Sequence, residues 1–340
     1  MVKAKKYVVK NHFRGLPKRE DFEVVEFDLP PLENGEILVK TEWISVDPYV
    51  QVHNPFHPVP YDQHSFQVGT VQDSKNPNYP IGSKVVSYKG WCDYSIIDNF
   101  ENGTDGFDFG RVYKLQDVKD LPVELFVGTL GMTGVTAYCG LLEICQPRAG
   151  ETVVVTGAAG AVGSIVGQIA KVKGCRVVGF AGSDEKVQWL ENELGFDKAI
   201  NYKTADLRKS LKKAAPNGVD CYFDNVGGEI SSVIIAQMNK YGRVAVCGSI
   251  SAYNDDPEKL PKATILQPYI IFNELRIEGL TVNRWSNPDR WPKAIADLSE
   301  WIRGGKIQAR NHVTEGFDKL FDALIGVLTG DNFGKAVVKV

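Results

Sequence analysis

The stretch of sequence that decides the fold is TVVVTGAAGAVG at residues 152–163. Its first five residues form a nearly continuous β-branched run, which is typical of a strand buried in a parallel sheet. A glycine-rich turn follows, and a helix is predicted over 161–173. A turn of this kind between a strand and a helix can bind a pyrophosphate, because the backbone approaches the anion closely and the helix N-terminus offers N–H groups.

Two glycines in the turn have an expected role. Gly160 lets the backbone approach a pyrophosphate, and Gly163 lets the helix pack closely on the strand. Ala158 replaces the first glycine of the usual GxGxxG pattern. The alternative interpretation is a small-residue turn that only packs the helix.

Strands and helices alternate beyond this turn. Predicted strands cover 152–156, 176–180, 199–202, 221–224 and 243–247, and predicted helices include 161–173 and 184–194. Such alternation with short connections predicts an α/β fold with a doubly wound parallel sheet, the Rossmann arrangement.

The N-terminal part of the chain has a different pattern. Short strands are predicted at 5–10, 22–27, 36–46 and 84–88, separated by proline-rich turns, and this spacing predicts a small antiparallel barrel. The tail returns to strand character at 335–340. We therefore predict a first domain over 1–122 that is rejoined by 312–340, and a second domain over 123–311.

The end of the second predicted strand indicates which dinucleotide would bind. An NAD enzyme places an acid there for the ribose hydroxyls, but this strand ends in Ala181-Gly182-Ser183. Asp184 and Glu185 come next, in the first turn of a helix that Ser183 would cap. Lys186 can offer its charge to a 2′-phosphate, or it is simply a solvated lysine. These residues favour NADP(H) and leave NAD as the alternative.

Composition excludes several classes of partner. The chain has 39 basic and 42 acidic residues, a net charge of −3, so no basic excess is present for a nucleic-acid backbone. We find neither a signal-peptide core after the basic N-terminus nor a run apolar enough for a membrane helix, and we expect a cytoplasmic protein. The six cysteines form no CxxC pair and are expected to be reduced thiols, mostly buried in or beside strands.

Several segments match one family closely. They are GMTGVTAY at 131–138, AAGAVGS at 158–164, GSDEK at 182–186, CYFDNVGG at 221–228 and DNFGK at 331–335. The chain resembles the prostaglandin reductase 1 (leukotriene B4 12-hydroxydehydrogenase) family of the zinc-free medium-chain dehydrogenase/reductase superfamily, over essentially its whole length. The resemblance implies a GroES-like β-barrel domain beside the Rossmann domain, a cytosolic homodimer, and NADPH-dependent reduction of the double bond in α,β-unsaturated ketones and aldehydes.

The resemblance also implies a set of cofactor-binding residues. The pyrophosphate would lie at Gly160, Ala161, Val162 and Gly163, and the adenosine 2′-phosphate at Lys186 and Tyr202. Asn225 would meet the ribose region, and Asn332 would reach in from the tail. The nicotinamide side would be lined by Cys247, Gly248, Ser249, Ile250, Ser251, Ala252 and Tyr253, with Leu280, Thr281 and Val282 behind it.

The sequence departs from the family pattern near the expected substrate wall. The usual Asp-Pro-Tyr-Met-Arg becomes Asp-Pro-Tyr-Val-Gln at 47–51, which removes a cation. Tyr49 remains a candidate substrate contact. The segment 52–66 has no match in the family, and it contains His53, His57 and His64. Whether the natural substrate is an eicosanoid or a general alkenal therefore stays open.

No zinc-site pattern of cysteine and histidine ligands is found in the sequence. Three prolines interrupt the histidine segment, so we expect a mobile polar loop there, with a metal site as the alternative. Without zinc, hydrogen bonds must polarise the carbonyl. Tyr253 is the candidate donor, together with a ribose hydroxyl of the cofactor, because a tyrosine is neutral at pH 7. The alternative is a tyrosine that only packs on the nicotinamide.

The function predicted from the sequence is hydride transfer from NADPH to the β-carbon of an enone or enal. Quinone reduction and leukotriene B4-type alcohol oxidation on the same scaffold are the enzymatic alternatives, since a fold does not determine its chemistry. A non-catalytic NADPH-binding protein is the third possibility. The source of the α-proton stays open.

Overall fold

The computed structural model describes residues 2–98, 113–115, 120–255, 264, 266–285 and 290–340. The strands are β1 (Lys3–Val9), β2 (Phe22–Asp28), β3 (Ile37–Ser45), β4 (Tyr61–Asp62), β5 (Gln67–Ser74), β6 (Lys84–Ser87), β7 (Tyr94–Ile97), β8 (Tyr113–Lys114), β9 (Thr152–Val155), β10 (Arg176–Ala181), β11 (Lys198–Asn201), β12 (Val219–Asp224), β13 (Met238–Val246), β14 (Arg276–Gly279), β15 (Asn311–Glu315) and β16 (Lys335–Lys339). The helices are α1 (Tyr49–His53), α2 (Met132–Cys139), α3 (Gly163–Val172), α4 (Asp184–Asn192), α5 (Leu207–Ala214), α6 (Gly228–Ile235), α7 (Gln267–Phe272), α8 (Arg290–Arg303) and α9 (Leu320–Thr329).

The chain divides into two compact units. We call them the β unit (Met1–Gly128, Asn311–Asp331 and Ala336–Val340) and the α/β unit (Thr129–Arg310 and Asn332–Lys335). Within the tail, Asn332–Lys335 packs with the α/β unit, whereas we expected all of 312–340 to join the first domain. The reason is local, because the Gly334 N–H donates a hydrogen bond to the Ala159 carbonyl at 2.8 Å.

The α/β unit is built on a six-stranded sheet with the order β11-β10-β9-β12-β13-β14. Every neighbouring pair in this sheet is parallel. Counted from β9, the order is 3-2-1-4-5-6, which is that of the Rossmann fold, and the predicted fold class is confirmed. Ligands bind such sheets outside the carboxyl ends of the strands, at the point where the strand order reverses. Here that point lies between β9 and β12.

The core of this sheet follows from its apolar strands. The side chains of Val154, Val178, Tyr222 and Val244 are each fully buried in one cluster with the helices that cover the sheet. Two differences from the predicted elements stand out. Strand β13 begins at Met238 rather than 243, and β14 was not predicted, because its burial pattern is mostly exposed and lacks the apolar run of a central strand.

The β unit contains a three-stranded sheet, β2-β1-β4, and a seven-stranded sheet with the order β15-β16-β3-β5-β6-β8, in which β7 also pairs with β3. The pairing is antiparallel between β1 and β2 and between β3 and β5. Strand β16 pairs with β3, with Val337 opposite Ser45. No helix in the part of the chain that the structure describes is long and apolar enough to cross a membrane.

Candidate cofactor and active site

The glycine turn after β9 is as tight as its sequence predicts. Gly157 has a φ of +58°, in the left-handed region that favours glycine. A Cβ on Gly163 would lie 2.3 Å from the Gly157 carbonyl oxygen, so glycine is required where α3 meets the turn. A Cβ on Gly160 would meet only that same oxygen, at 3.2 Å. Gly160 therefore leaves one side of the turn open to a ligand.

The turn fits a pyrophosphate. Helix α3 begins at Gly163 and is 10 residues long. The N–H groups of Ser164, Ile165 and Val166 in its first turn donate to the Gly160 and Val162 carbonyls, and the helix dipole is positive at this end. Ala161 and Val162, which connect Gly160 to the helix, are half-buried. An anion over Gly160 would therefore meet the backbone of residues 161–163 and the positive end of the helix dipole.

The end of β10 has the features that the sequence predicted. The Ser183 side chain accepts a hydrogen bond from the Lys186 backbone N–H at 3.3 Å and caps α4. The Asp184 carboxylate accepts a bond from Asn201 Nδ2 at 2.7 Å, which engages this acid with the neighbouring strand. Asp184 and Glu185 lie in the first turn of α4 and not at the end of β10, where an NAD site places its acid.

Lys186 differs from a solvated surface lysine, which was the alternative interpretation. It is only 9% exposed, and its Nζ lies 5.3 Å from the centroid of the Phe333 ring. Tyr202 lies on the same edge, and its hydroxyl is 3.0 Å from the position of a Cβ on Gly182. The residues expected at the 2′-phosphate, Lys186 and Tyr202, therefore both adjoin the segment that ends β10.

Asn225 is tied to the glycine turn. Its Nδ2 donates to the Thr156 carbonyl at 2.7 Å, and its backbone N–H donates to the Thr156 hydroxyl at 3.1 Å. A Cβ on Gly157 would lie 3.4 Å from the Asn225 Cβ. Asn225 is thus more than a turn residue, because it joins the carboxyl ends of β9 and β12 at the point where the strand order reverses.

Sequence reasoning missed Asp224, a carboxylate that is 3% exposed. Its Oδ1 accepts from the backbone N–H groups of Val226 and Gly227, both at 2.9 Å, and from the Thr156 hydroxyl at 3.2 Å. Its Oδ2 accepts from the Ser231 hydroxyl at 2.7 Å. The signal in the sequence is an acid at the end of the buried strand CYFD, where an unpaired charge would be costly.

The loop after β13 is held against the end of β12. The N–H groups of Cys247 and Gly248 both donate to the Asp224 carbonyl, at 2.8 and 3.1 Å. The Ser251 hydroxyl donates to the Val226 carbonyl at 2.6 Å. The remaining residues of this loop, Ser249, Ile250 and Ala252, lie in or next to a single 3-10 turn. These bonds fix the loop at the carboxyl edge of the sheet, beside Asn225.

Tyr253 folds back onto its own loop. Its hydroxyl oxygen accepts a hydrogen bond from the Ser249 backbone N–H at 3.3 Å. Burial raises the pKa of Tyr253 above its ordinary value, the Ser249 N–H lowers it, and Cys247 and Asp224 add to the increase. Burial, with a contribution from Asp224, raises the pKa of the Cys247 thiol to about 12. Both groups are therefore protonated at neutral pH.

The segment after β14 reaches the same edge of the sheet. The Leu280 N–H donates to the Val246 carbonyl at 3.0 Å, next to the loop that begins at Cys247. Leu280 and Val282 are buried, and Thr281 is exposed. Asn332 is near the glycine turn, because it donates from Nδ2 to the Gly334 carbonyl at 2.7 Å, and Gly334 forms a bridge with Gly160.

Tyr49 lies in the β unit. Burial raises the pKa of Tyr49 well above its ordinary value, and the neighbouring Tyr88 and Asp47 act in the same direction. The Tyr49 ring lies 5.2 Å from that of His53. Gln51, at the position of the lost cation, is 6% exposed and donates its amide to the Gly15 carbonyl at 2.8 Å. This position therefore presents a neutral side chain that is already bonded within the unit.

The segment 52–66 begins in α1, continues in a 3-10 turn and combines exposed residues such as Phe56 with buried polar ones. That it is a mobile loop stays a prediction. Asn54 is fully buried, and Gln63 is 3% exposed. The His64 ring is stacked with Tyr88 at 6.0 Å and lies 5.0 Å from His57. Pro55 lies in the 3-10 turn Asn54–Phe56 that follows α1, and Pro58 comes directly after the C-cap residue of this turn, His57. Across the described residues, no group of three or more His, Cys, Asp or Glu could hold a metal ion.

The cysteines are buried as expected, but not all of them lie at strands. Five of the six are buried, and Cys247 is half-buried. Cys139 lies in α2 and Cys145 in the π-helical turn that follows it, because small apolar side chains also suit the packing of this helix.

Comparison with known proteins gives the same picture. A family model described as the N-terminal domain of oxidoreductase matches residues 5–103, and one described as zinc-binding dehydrogenase matches 161–300. Prostaglandin reductase 1 of Bos taurus is 49% identical over 341 residues, with 100% of each chain covered. The 2-alkenal reductase (NADP(+)-dependent) of Nicotiana tabacum is 37% identical, over 100% of this chain and 98% of its own.

A solved structure is also similar over the full length. The crystal structure of CurA in complex with NADPH, from Vibrio vulnificus, has a TM-score of 0.88 and 34% sequence identity, with 99% of each chain covered. Full-length identity of this degree, together with the Rossmann strand order, shows that the chain belongs to the prostaglandin reductase 1 family of the medium-chain dehydrogenase/reductase superfamily.

Proposed function

We propose that this chain is an NADPH-dependent reductase of the carbon–carbon double bond in α,β-unsaturated ketones and aldehydes. The observation that carries the proposal is the convergence of three segments at the carboxyl edge of one sheet. These are the glycine turn, Asn225 and the loop that ends at Tyr253. Relatives named as prostaglandin and 2-alkenal reductases support this reaction class, and the NADPH complex of CurA supports the cofactor.

The residues that would hold NADP(H) fall into groups according to the part of the cofactor that each would contact. Gly160, Ala161, Val162 and Gly163 would meet the pyrophosphate with backbone groups, and Lys186 with Tyr202 would bind the 2′-phosphate. Asn225 and Asn332 would contact the ribose and pyrophosphate region. Around the nicotinamide we place Cys247, Gly248, Ser249, Ile250, Ser251, Ala252 and Tyr253, with Leu280, Thr281 and Val282 behind them.

When bound, the reduced nicotinamide supplies a hydride for the β-carbon of the substrate. The task left to the protein is to stabilise the charge that develops on the carbonyl oxygen. Tyr253 is the donor that we assign to this oxygen. Its hydroxyl oxygen already accepts from Ser249, and its raised pKa keeps the hydrogen in place. A neutral donor held by the loop backbone needs little reorganisation when the charge appears.

We also propose that Tyr49 contacts the substrate. Its phenol is buried beside the rings of His53 and Tyr88. Gln51, which is bonded to Gly15, offers no charge at the position of the lost cation. The proposed substrates are therefore uncharged enones and enals.

A cytosolic location and a homodimer remain predictions from the family, and light scattering across a range of protein concentrations tests the dimer.

An activity panel tests the proposed function. Purified protein is mixed with NADPH or NADH and with simple enones, a 2-alkenal, a quinone or an allylic alcohol with NADP+, and the absorbance of the reduced cofactor is followed. Turnover of enones and enals with NADPH is the expected result. Turnover of the quinone alone, or oxidation of the alcohol alone, would replace the proposal with that activity. A protein that binds NADPH and turns over nothing would be a binding protein.

A further inference from the structure

Two cations and two aromatic rings meet in the α/β unit, and of these four residues only Lys186 is among the expected cofactor residues. The guanidinium carbon of Arg310 lies 4.8 Å from the ring centroid of Phe333 and 5.2 Å from that of Trp189. The Lys186 Nζ lies 5.3 Å from the same Phe333 ring. The two rings meet edge to face at 5.6 Å. Phe333 is therefore shared by both cations.

Backbone contacts hold this cluster against the glycine turn. The Gly334 N–H donates to the Ala159 carbonyl at 2.8 Å, and the Lys335 N–H donates to the Arg310 carbonyl at 2.9 Å. A Cβ on Gly334 would lie 2.1 Å from the Arg310 carbonyl oxygen, so only glycine allows this approach. The segment Gly334–Lys335 therefore bonds to the glycine turn through Gly334 and to Arg310 through Lys335.

The charge of Arg310 is oriented but not neutralised. Its side chain is exposed, and among the residues that the structure describes no carboxylate forms an ion pair with it. Arg243, by contrast, bonds the Glu151 carboxylate at 2.6 Å. Stacking on aromatic rings fixes the plane of a guanidinium while leaving its N–H donors free for an anion. A planar guanidinium can then bind a phosphate through two parallel hydrogen bonds.

We propose that Arg310 is a second cation for the adenosine 2′-phosphate, acting with Lys186, and that Trp189 and Phe333 hold it in position. The assignment deepens the proposed function and depends on its NADP(H) site. The 2′-phosphate is the group chosen because Lys186, which shares Phe333 with Arg310, follows the β10 end that lacks an acid. NADH has no 2′-phosphate, so this contact would select between the two cofactors.

Binding measurements without turnover test the proposal. Dissociation constants for NADPH, NADH, 2′,5′-ADP and 5′-AMP are measured by isothermal titration calorimetry on the wild-type protein and on Arg310→Ala. The variant is expected to bind NADPH and 2′,5′-ADP about tenfold more weakly, the loss of one charge-assisted hydrogen bond, and to bind NADH and 5′-AMP as before. Arg310→Lys should recover part of the loss, because it keeps the charge and loses the planar fork.

A matched control is available at the other end of the sheet. Lys240 also lies over a ring, that of Tyr241 at 5.1 Å, and it pairs with Glu274 near the start of β13. Lys240→Ala should leave all four dissociation constants unchanged. Phe333→Leu, which removes one ring but no charge, should weaken NADPH and 2′,5′-ADP binding and leave NADH binding intact. Thermal melts confirm that each variant is folded.

Two results would overturn the assignment. Unchanged NADPH affinity in Arg310→Ala would show that Arg310 does not contact the cofactor. Equal losses for NADPH and NADH would move the contact to the pyrophosphate or adenine. Both results require a wild-type protein that binds NADPH. If the wild type binds neither dinucleotide, the proposed function itself fails.

Discussion

The Tyr253 hydroxyl oxygen accepts a hydrogen bond from the backbone N–H of Ser249, four residues earlier in the same loop. A phenol that accepts through its oxygen still has its hydrogen to donate. The loop around it is tied to Asp224 and Val226, so the direction of the donor is set before any substrate arrives. This relationship supports assigning Tyr253 a chemical role beyond packing.

Replacing Tyr253 by Phe should lower kcat about tenfold, since one hydrogen bond to a developing oxyanion is lost, and it should leave the NADPH dissociation constant nearly unchanged. Steady-state kinetics at saturating NADPH measures the first quantity, and fluorescence titration the second. Tyr241→Phe, at an exposed tyrosine near the start of β13, is the matched control. An unaltered kcat in Tyr253→Phe would reduce Tyr253 to a packing residue.

Replacing Lys186 by Ala should raise the KM for NADPH about tenfold and leave the KM for NADH nearly unchanged, because only NADPH carries the 2′-phosphate. The helix cap survives the change, since Ser183 accepts from the backbone N–H of residue 186. Lys209→Ala, at an exposed lysine of α5, controls for net charge. Equal losses with both cofactors would refute the phosphate role.

Replacing Asp224 by Ala should lower the free energy of unfolding by about 3 kcal/mol, because buried donors lose their acceptor, and it should raise the KM for NADPH several-fold. Asp224→Asn keeps one acceptor oxygen, so its free energy of unfolding and its KM for NADPH should both be close to those of the wild type. Asp220 bonds Thr152 and Asn239 at the opposite end of β12. Asp220→Ala should therefore lower stability without changing KM. If the KM for NADPH rises equally in Asp224→Ala and Asp220→Ala, Asp224 does not hold the cofactor-binding loops in place.

Cys247 should resist alkylation by the proposed substrates, which are thiol-reactive electrophiles. Burial and Asp224 raise the pKa of its thiol from 9.0 to about 12. A raised pKa keeps the thiol protonated, so the reactive thiolate is about a thousandfold scarcer at neutral pH than for an ordinary cysteine. We expect adduct formation on Cys247 at pH 7 without NADPH, measured by peptide mass spectrometry, to be about a thousandfold slower than on an ordinary cysteine, and its rate to rise about tenfold per pH unit below the pKa. Protein unfolded in urea is the control. A rapid adduct on Cys247 at pH 7 would contradict this prediction.

The sequence is most informative where local chemistry leaves few choices. The β-branched strand before Gly157 and the small residues after it predict a strand, a turn and a helix, and Ser183 predicts its own cap. The doubly wound parallel sheet follows from the strand–helix alternation. These features depend on neighbours in the chain, which is why they can be predicted without coordinates.

Features that depend on distant residues could not be predicted in this way. Of the four hydrogen bonds to the Asp224 carboxylate, the one from the Thr156 hydroxyl comes from a residue 68 positions away, at the end of another strand. The contact between Arg310 and Phe333 depends on Gly334 reaching back to Ala159. The burial of Lys186 depends on that same tail segment, so its sequence neighbours alone suggest a solvated helix lysine.

The most direct test of the central claim is to locate the transferred hydrogen. NADPH carrying deuterium at nicotinamide C4, in separate preparations of each stereoisomer, is used to reduce a simple enone, and the product is analysed by NMR. The account predicts a saturated ketone with deuterium on the β-carbon from one stereoisomer. Deuterium on the carbonyl carbon, in an allylic alcohol, would contradict it.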